Sequence, residues 1–386
     1  MTPNRWLGAE MGGPVLLTPG PLTTSRATRA AAAKDWGSWD TDFQHLTRRV
    51  VEGLEGVAGA DRLACVPMQG SGTFAVEAAV RTFTPRGEGI VVLSNGAYGD
   101  RLAKLAALAG REVEVLATPW DAPPDLAALA RALEELPGRF RQVAMVHCET
   151  STGLLNPLRQ TADVVAASGR RLIVDAMSSF GALDVAADHP AVTAIAAASG
   201  KCLEGLPGVG FVLADRAALA AADGACDSLS LDLADQHRYL ATTGQWRFTP
   251  PTHLVAALAA ALDQHRAEGG APGRLARYQA NSKTLAAGMI RLGFEPFLPA
   301  RWQAPIIHTF HAPTDPAWDF DQFYDRVKRR GFILYPGKLT ETETFRVGCV
   351  GAIEPDTMRR AVGAMAAALM DMGVAVVLPE FQEVAA

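Results

Sequence analysis

The 386 residues carry no surplus of positive charge: 36 Lys and Arg stand against 41 Asp and Glu, a formal charge of −5. A phosphate backbone is bound by clustered Lys and Arg that displace its counterions, and no dense cluster is present. Nucleic acid is therefore not an expected partner. Cysteine is scarce, and Cys65, Cys148, Cys202, Cys226 and Cys349 form an odd set without a CxxC pair. That pattern predicts reduced thiols in a cytoplasmic protein, and a chain this long can bury a large core without disulfides or a structural metal. The N-terminus, MTPNRWLGAEMGGPV, lacks the charged start and apolar run of an export signal. Long hydrophobic runs are missing as well. The longest, 254–262 and 361–370, are bounded by Asp263 and by Arg359, Arg360 and Asp371, and they fall short of the roughly 18 residues a membrane span needs. Both read as buried helices. No GxxxxGK is present, which excludes a P-loop, and no pair among the eight histidines has metal-ligand spacing.

What is present is an apolar-rich chain, 49% hydrophobic and 20% charged, with 36 Gly and 24 Pro dispersed among apolar segments. Gly and Pro so placed mark turns between packed elements rather than a disordered tract. At roughly 150 residues per domain, the length predicts two or three domains. From about 60 to 215, short β-rich runs at 63–68, 89–93, 113–116, 142–147, 171–174 and 209–214 alternate with Ala/Leu-rich stretches at 74–83, 100–109, 125–135 and 158–168. Apolar residues in those stretches recur every three or four positions, as amphipathic helices require. The alternation predicts an α/β domain with a mainly parallel sheet covered by helices on both faces. Residues 192–198 are a further strand candidate, although their alanines also suit a helix. After Gly269 the texture changes: EGGAPGR (268–274) breaks the pattern, a long helix follows at 274–291, and short strands (305–310, 332–335, 344–348) precede a terminal helix at 355–372. The expected organisation is an N-terminal segment 1–25, a large α/β domain 26–270 and a small α+β domain 271–386.

Chemistry gathers where predicted strands end. QGSGTFAVEA (69–78) follows the first strand and opens a helix. Gly70 and Gly72 let backbone approach a ligand, while Ser71 and Thr73 place hydroxyls where free helix N–H groups favour an anion. The plainer reading is a helix cap. LIVD (172–175) sets Asp175 at the carboxyl end of a strand, where ligands bind in open α/β sheets. It could hold a cation, a ribose or a protonated ring nitrogen, or it could cap the following turn. Lys201, in AAASGKCLEGLPGVG (196–210), sits between an apolar segment and a Gly/Pro turn; poor hydration there lowers a lysine pKa and favours a nucleophilic amine. An anion site, a strand-end Asp and a half-buried Lys are together the parts a pyridoxal phosphate enzyme needs. Tyr98 in SNGAYGDR (94–101) offers an aromatic face, or simply packs a loop, and TSTG (150–153) ends another strand with hydroxyls. Arg346 lies in an otherwise apolar strand, where a guanidinium needs an anionic partner from the protein or a substrate.

With these residues in place, the chain resembles the 2-aminoethylphosphonate–pyruvate aminotransferases, in the class V group of fold-type I pyridoxal phosphate-dependent enzymes. The similarity runs from about 15 to 372 and is carried by LLTPGPLTTS (16–25), DWGSWD (35–40), QGSGTFAVEA, NGAYG (95–99), VHCETSTGLLNP (146–157), VDAMSSFGA (174–182), SLSLDL (228–233), WRFTPPTH (246–253), LYPGK (334–338) and FRVG (345–348). The resemblance implies that Lys201 takes the aldehyde of pyridoxal 5'-phosphate and that Asp175 partners its ring nitrogen. It implies further that Tyr98 stacks on the ring with Met177 on the other face, that Ser71, Gly72 and Thr73 bind the phosphate, and that Thr150 lies near the ring hydroxyl. Trp246 and Thr249 match positions that complete the phosphate site of a second subunit, which implies a homodimer with shared sites. Arg346 matches the arginine that anchors the substrate's phosphonate or carboxylate. The expected substrates are thus a small aminophosphonate and a 2-oxo acid. Gly200 stands where relatives place Asn or Gln, so Ser199 or water is expected to replace that amide; Asp227, Ala234 and His237 also depart from the family pattern. Rival readings keep the fold and cofactor with alanine or serine and glyoxylate, or a hydroxylated aminophosphonate. A different class, a non-catalytic α/β binding protein, would leave the charges of Lys201, Asp175 and Arg346 without a use.

Overall fold

Strands whose side chains alternate between two apolar faces build the central sheet, and helices cover both. A computed structural model describes residues 13–339 and 342–375. Its elements begin with β1 (Val15–Leu16), α1 (Arg26–Ala31), α2 (Thr41–Ala58), β2 (Leu63–Gln69), α3 (Gly72–Phe83), β3 (Gly89–Ser94) and α4 (Ala97–Leu108). Next come β4 (Glu112–Ala117), α5 (Leu126–Glu135), β5 (Phe140–Val146), β6 (Cys148–Glu149), β7 (Leu154–Leu155), α6 (Leu158–Ala167), β8 (Arg171–Asp175), β9 (Val192–Ala198) and β10 (Val209–Asp215). The chain continues through α7 (Arg216–Ala221), α8 (Leu233–Thr243), α9 (Thr252–Ala267), α10 (Gly270–Arg291), β11 (Ile307–His311) and α11 (Phe320–Arg329). It closes with β12 (Phe332–Ile333), β13 (Tyr335–Pro336), β14 (Thr344–Gly348) and α12 (Pro355–Met372).

Two compact units result. One comprises Thr24–Thr150 and Leu154–Leu275; the other comprises the described residues up to Thr23, Ser151–Gly153 and those from Ala276 on. The division falls inside α10, whereas the sequence reading set its break at 268–274. Residues 270–274 are helical because Pro272 sits in the first turn, where its missing N–H would have had no partner.

In the α/β unit, seven strands run in the order β2-β10-β9-β8-β5-β3-β4. β3, β4, β5, β8 and β9 pair in parallel, and β10 is antiparallel to both of its neighbours. The sheet is therefore mixed but mainly parallel, and 192–198 is a strand. Alternation sorts its residues cleanly. Leu63, Cys65, Val91, Leu93, Val143, Met145, Leu172, Val174, Phe211 and Leu213 face one way with Phe43, Val50 and Leu54 of α2 and Leu129 and Leu133 of α5. Ala64, Val66, Ile90, Val92, Ala144, Ile173, Ala194, Ala196 and Ala214 face the other way with Ala75, Ala78 and Ala79 of α3. Each large aliphatic side chain so buried contributes about 1.5–3 kcal/mol. The small residues on the second face let α3 lie close against the sheet, which delivers its N-terminus to the strand ends. β4 closes one edge with charged Glu112 and Glu114 in a half-exposed strand, which discourages further pairing.

The other unit contains an antiparallel sheet in the order β11-β14-β13 and the parallel pair β1–β12. Its core is aromatic. Phe294, Phe310, Phe323 and Phe345 cluster with Trp318, and the Phe294 and Phe345 rings meet edge to face at 5.1 Å.

Candidate active site

Of the strands that run in the common direction, all but β4 deliver a group to one cavity, of about 200 Å³, in the α/β unit. β2 leads into Ser71 and then Gly72 and Thr73 at the start of α3; β3 leads to Tyr98 at the start of α4; β5 leads to Cys148 and Thr150. Asp175 ends β8 with Met177 two residues on, and β9 leads to Lys201. This is the crevice outside the carboxyl ends of strands, where backbone N–H groups of helix starts converge. Ser71 occupies the cap position of α3, yet its hydroxyl makes no capping hydrogen bond. A Cβ on Gly72 would lie 2.1 Å from Met177 Sδ, so only glycine lets Met177 close that wall.

Asp175 and Lys201, which face the cavity, are both pushed toward their neutral forms. Burial drives Asp175 up to about 6, and the negative charge of Glu149 adds to the effect; the Met177 N–H, donated to Asp175 Oδ1 at 2.9 Å, opposes it. Burial likewise holds the Lys201 ammonium below the usual lysine range, against the favourable fields of Tyr98, Cys202 and Asp175. A buried amine of lowered pKa is a nucleophile, and a buried carboxyl of raised pKa is suited to meet a cationic partner.

The turn that carries Lys201 is bonded to itself. Glu204 N–H donates to Lys201 O at 2.7 Å, Gly205 N–H to Ser199 O at 2.9 Å, and Ser199 N–H to Val209 O at 2.9 Å. Glu204 adopts a left-handed φ of 60° and forms a buried ion pair with Arg274 at 3.4 Å; Arg274 also donates to Cys202 O and, at 2.6 Å, to Glu268. A Cβ on Gly200 would sit 3.0 Å from Pro207 Cα, so the Asn or Gln that the family resemblance leads one to expect has little room there.

Some expected site residues lie elsewhere. Ser199 is fully buried and not in the cavity wall, and its hydroxyl is donated to Leu206 O at 2.5 Å. Trp246 packs in the core of the α/β unit and its indole N–H donates to Thr47 Oγ1 at 3.2 Å, while Thr249 is exposed. Arg346 belongs to the other unit, directly opposite Thr309 on one side and Tyr335 on the other. Its Nε donates to Pro336 O at 2.9 Å and its guanidinium lies over the Tyr335 ring at 5.3 Å. The departures do not line the cavity either. Asp227 is bound by Arg81, Arg86 and Arg111, Ala234 is packed behind α3, and His237 is held below the usual histidine range by burial.

Sequence reasoning missed Arg101, Leu102 and Leu105, which line the cavity with Tyr98. Their spacing of three, four and seven from Tyr98 marks one helix face and was the available signal. It also missed Glu149, which no local pattern announces.

Comparison with known proteins places this arrangement. The class-V aminotransferase family model matches residues 34–295. The chain belongs to the class-V aminotransferases. Among curated relatives of this class-V aminotransferase, a 2-aminoethylphosphonate–pyruvate transaminase of Pseudomonas putida is 58% identical over 94% of this chain and 98% of its own length. One from Pseudomonas aeruginosa is 56% identical over 94% and 97%. Solved structures share the fold at lower identity. The ureidoglycine–glyoxylate aminotransferase of Bacillus subtilis superposes with a TM-score of 0.86 at 20% identity, covering 94% of each chain. The pyridoxamine–pyruvate aminotransferase of Mesorhizobium loti superposes with a TM-score of 0.86 at 22% identity, covering 95% of this chain and 94% of that one.

Proposed function

We propose that this class-V aminotransferase uses pyridoxal 5'-phosphate to move the amino group of 2-aminoethylphosphonate to pyruvate, giving phosphonoacetaldehyde and L-alanine. The observation that carries the reading is the 56–58% identity, over 94% of the chain, to relatives named for that reaction.

The donor set of the cavity fits the cofactor. A hydroxyl not used for capping and a helix start suit the phosphate, a carboxyl that burial raises despite the nearby Lys201 and Arg101 suits a protonated ring nitrogen, and an amine whose ammonium burial disfavours suits an aldehyde. When bound, the cofactor supplies that aldehyde and an electron-accepting ring. Ser71, Gly72 and Thr73 would hold the phosphate, Tyr98 and Met177 would flank the ring, and Thr150 would meet its hydroxyl. Asp175 would keep the proton on the ring nitrogen. Lys201 Nζ would carry the proton from the amino-bearing carbon of the donor to the cofactor, and in the second half-reaction would carry one back to the keto carbon of pyruvate, which leaves as alanine. Arg346 offers a planar fork of donors that suits a phosphonate and a carboxylate alike, so one anchor serves both substrates in turn.

The working unit is a homodimer. Trp39, Phe74, Leu229 and Phe248 are large apolar side chains at least half exposed on the protomer, a feature that marks contact surfaces. Thr249 lies next to Phe248 and remains available to a second copy, whereas the Trp246 N–H is engaged at home. Cytoplasmic residence fits five free thiols, and no helix among the described residues is long and apolar enough to cross a membrane.

Purified protein tests the reading. It should show the visible absorbance of the bound cofactor, and aminoethylphosphonate alone should bleach it. A colourless protein refutes the cofactor assignment, and a band bleached only by alanine or serine refutes the phosphonate donor. Lys201→Ala should abolish alanine formation.

A further inference from the structure

Cys148 and Thr150 line the cavity, and Glu149 between them turns the other way, as strand alternation requires. Its side chain is fully buried, and its Oε2 accepts the backbone N–H groups of Tyr98 at 3.1 Å and of Gly99 at 3.2 Å. These are among the first donors of α4, which have no acceptor within the helix. The cap residue of α4, Gly96, has no side chain to offer, and the acid in its first turn, Asp100, already accepts the Ser94 hydroxyl at 2.6 Å. The cap of this helix therefore comes from a carboxylate 50 positions further along the chain. One buried side chain thus ties the backbone that carries Tyr98 to the strand end that carries Cys148 and Thr150.

We propose that Glu149 is a positioning residue that sets the Tyr98 ring against the cofactor, acting through Tyr98 and touching neither cofactor nor substrate. The proposal rests on the reading of Tyr98 as the residue that stacks on the ring. The test uses purified holoenzyme and three variants, Glu149→Ala, Tyr98→Ala and the double. Glu149→Ala, which removes the acceptor, should weaken the circular dichroism of the bound cofactor's visible band. It should also speed loss of cofactor on dialysis and lower kcat, each by about tenfold, the scale of one lost cap, with the KM for pyruvate within about twofold. In the Tyr98→Ala background the same substitution should change these readouts by less than about twofold, since coupled residues are non-additive. Losses that multiply in the double variant, or an unaltered dichroic band in Glu149→Ala, overturn the proposal. A wild-type protein with no cofactor band would instead overturn the functional reading on which it rests. Should Glu149→Ala fail to fold, Glu149→Asp, whose shorter side chain draws the acceptor away from both N–H groups, is read by the same criteria.

Discussion

Asp175 and Asp227 lie in the same α/β unit, and their surroundings push them in opposite directions. At Asp175 burial raises the group to about 6 and the charge of Glu149 adds to it, while one donated backbone N–H and the fields of Lys201 and Arg101 offset the rise only in part. At Asp227 three guanidinium groups converge: Arg111 at 2.6 Å, Arg86 at 2.8 Å and Arg81 at 2.9 Å. Arg111, the first cause, holds the carboxyl far below the usual carboxylate range. Arg111 is itself buried and also donates to Thr84 O at 2.6 Å, so the cluster fastens the segment before α8 to the ends of α3 and α4. The contrast teaches how to tell a working charge from a fastening one. A charge whose compensation is left incomplete awaits a partner from outside, whereas a charge compensated several times over holds the fold together.

The largest effect that could break this contrast is on catalysis. Asp175→Asn should lower kcat/KM for aminoethylphosphonate about a thousandfold, roughly 4 kcal/mol of transition-state stabilisation, measured by coupled assay of alanine. The melting temperature of the cofactor-free variant should not fall. Equal losses of activity and stability would make Asp175 a fastening group after all. Asp227→Asn should behave the other way: stranding buried Arg111 costs about 3 kcal/mol and lowers the melting temperature by roughly 5–10 °C, with kcat of the folded protein unchanged. A large drop in kcat at unchanged melting temperature would remove the distinction.

The pH dependence sharpens it further. Asp175 has a folded value of about 6, above the roughly 3.9 of an unfolded aspartate. Its contribution to the stability of cofactor-free protein is therefore full below about pH 4 and is lost as the pH rises through 6, by at most about 2–3 kcal/mol. Asp227, depressed, contributes above about pH 4 and loses that contribution on acidification. Melting curves of cofactor-free wild type and Asp175→Asn should thus converge near pH 4 and separate by pH 7, with the variant more stable. A gap that does not change with pH would contradict the assignment. The smallest effect belongs to Arg86, whose side chain is 73% exposed. Arg86→Met should cost under about 1 kcal/mol by chemical denaturation, because an exposed pair is screened by solvent. A cost like that of Asp227→Asn would mean the three arginines act as a unit.

Much of the fold was readable along the chain. The strands of the central sheet carry their apolar periodicity locally, so their existence follows from short windows of sequence. Residues 192–198 were ambiguous because alanine suits strand and helix alike, and only pairing between β8 and β10 decides for a strand. The run at 268–274 misled because Gly and Pro usually break elements, while here Pro272 opens α10. The two-residue strands β1, β6, β7, β12 and β13 are too short to show a period at all. In the cavity, Ser71, Gly72, Thr73, Tyr98, Thr150, Asp175, Met177 and Lys201 were nominated from sequence and the fold brings them together. For Ser199 and Trp246, residue type alone could not reveal that Leu206 O and Thr47 claim their donors.

By itself the sequence determined the alternation of strands and helices, the lack of a positive surplus, and the family to which the chain belongs. These are sums over neighbouring residues, or matches of whole segments, and survive without coordinates. Only the tertiary structure decided which polar groups end up compensated. Whether an aspartate is raised to about 6 or pressed far down, and whether Glu149 caps a helix 50 positions away, depends on which distant groups share one donor. In a medium of low dielectric, that sharing outweighs the intrinsic chemistry of any single side chain.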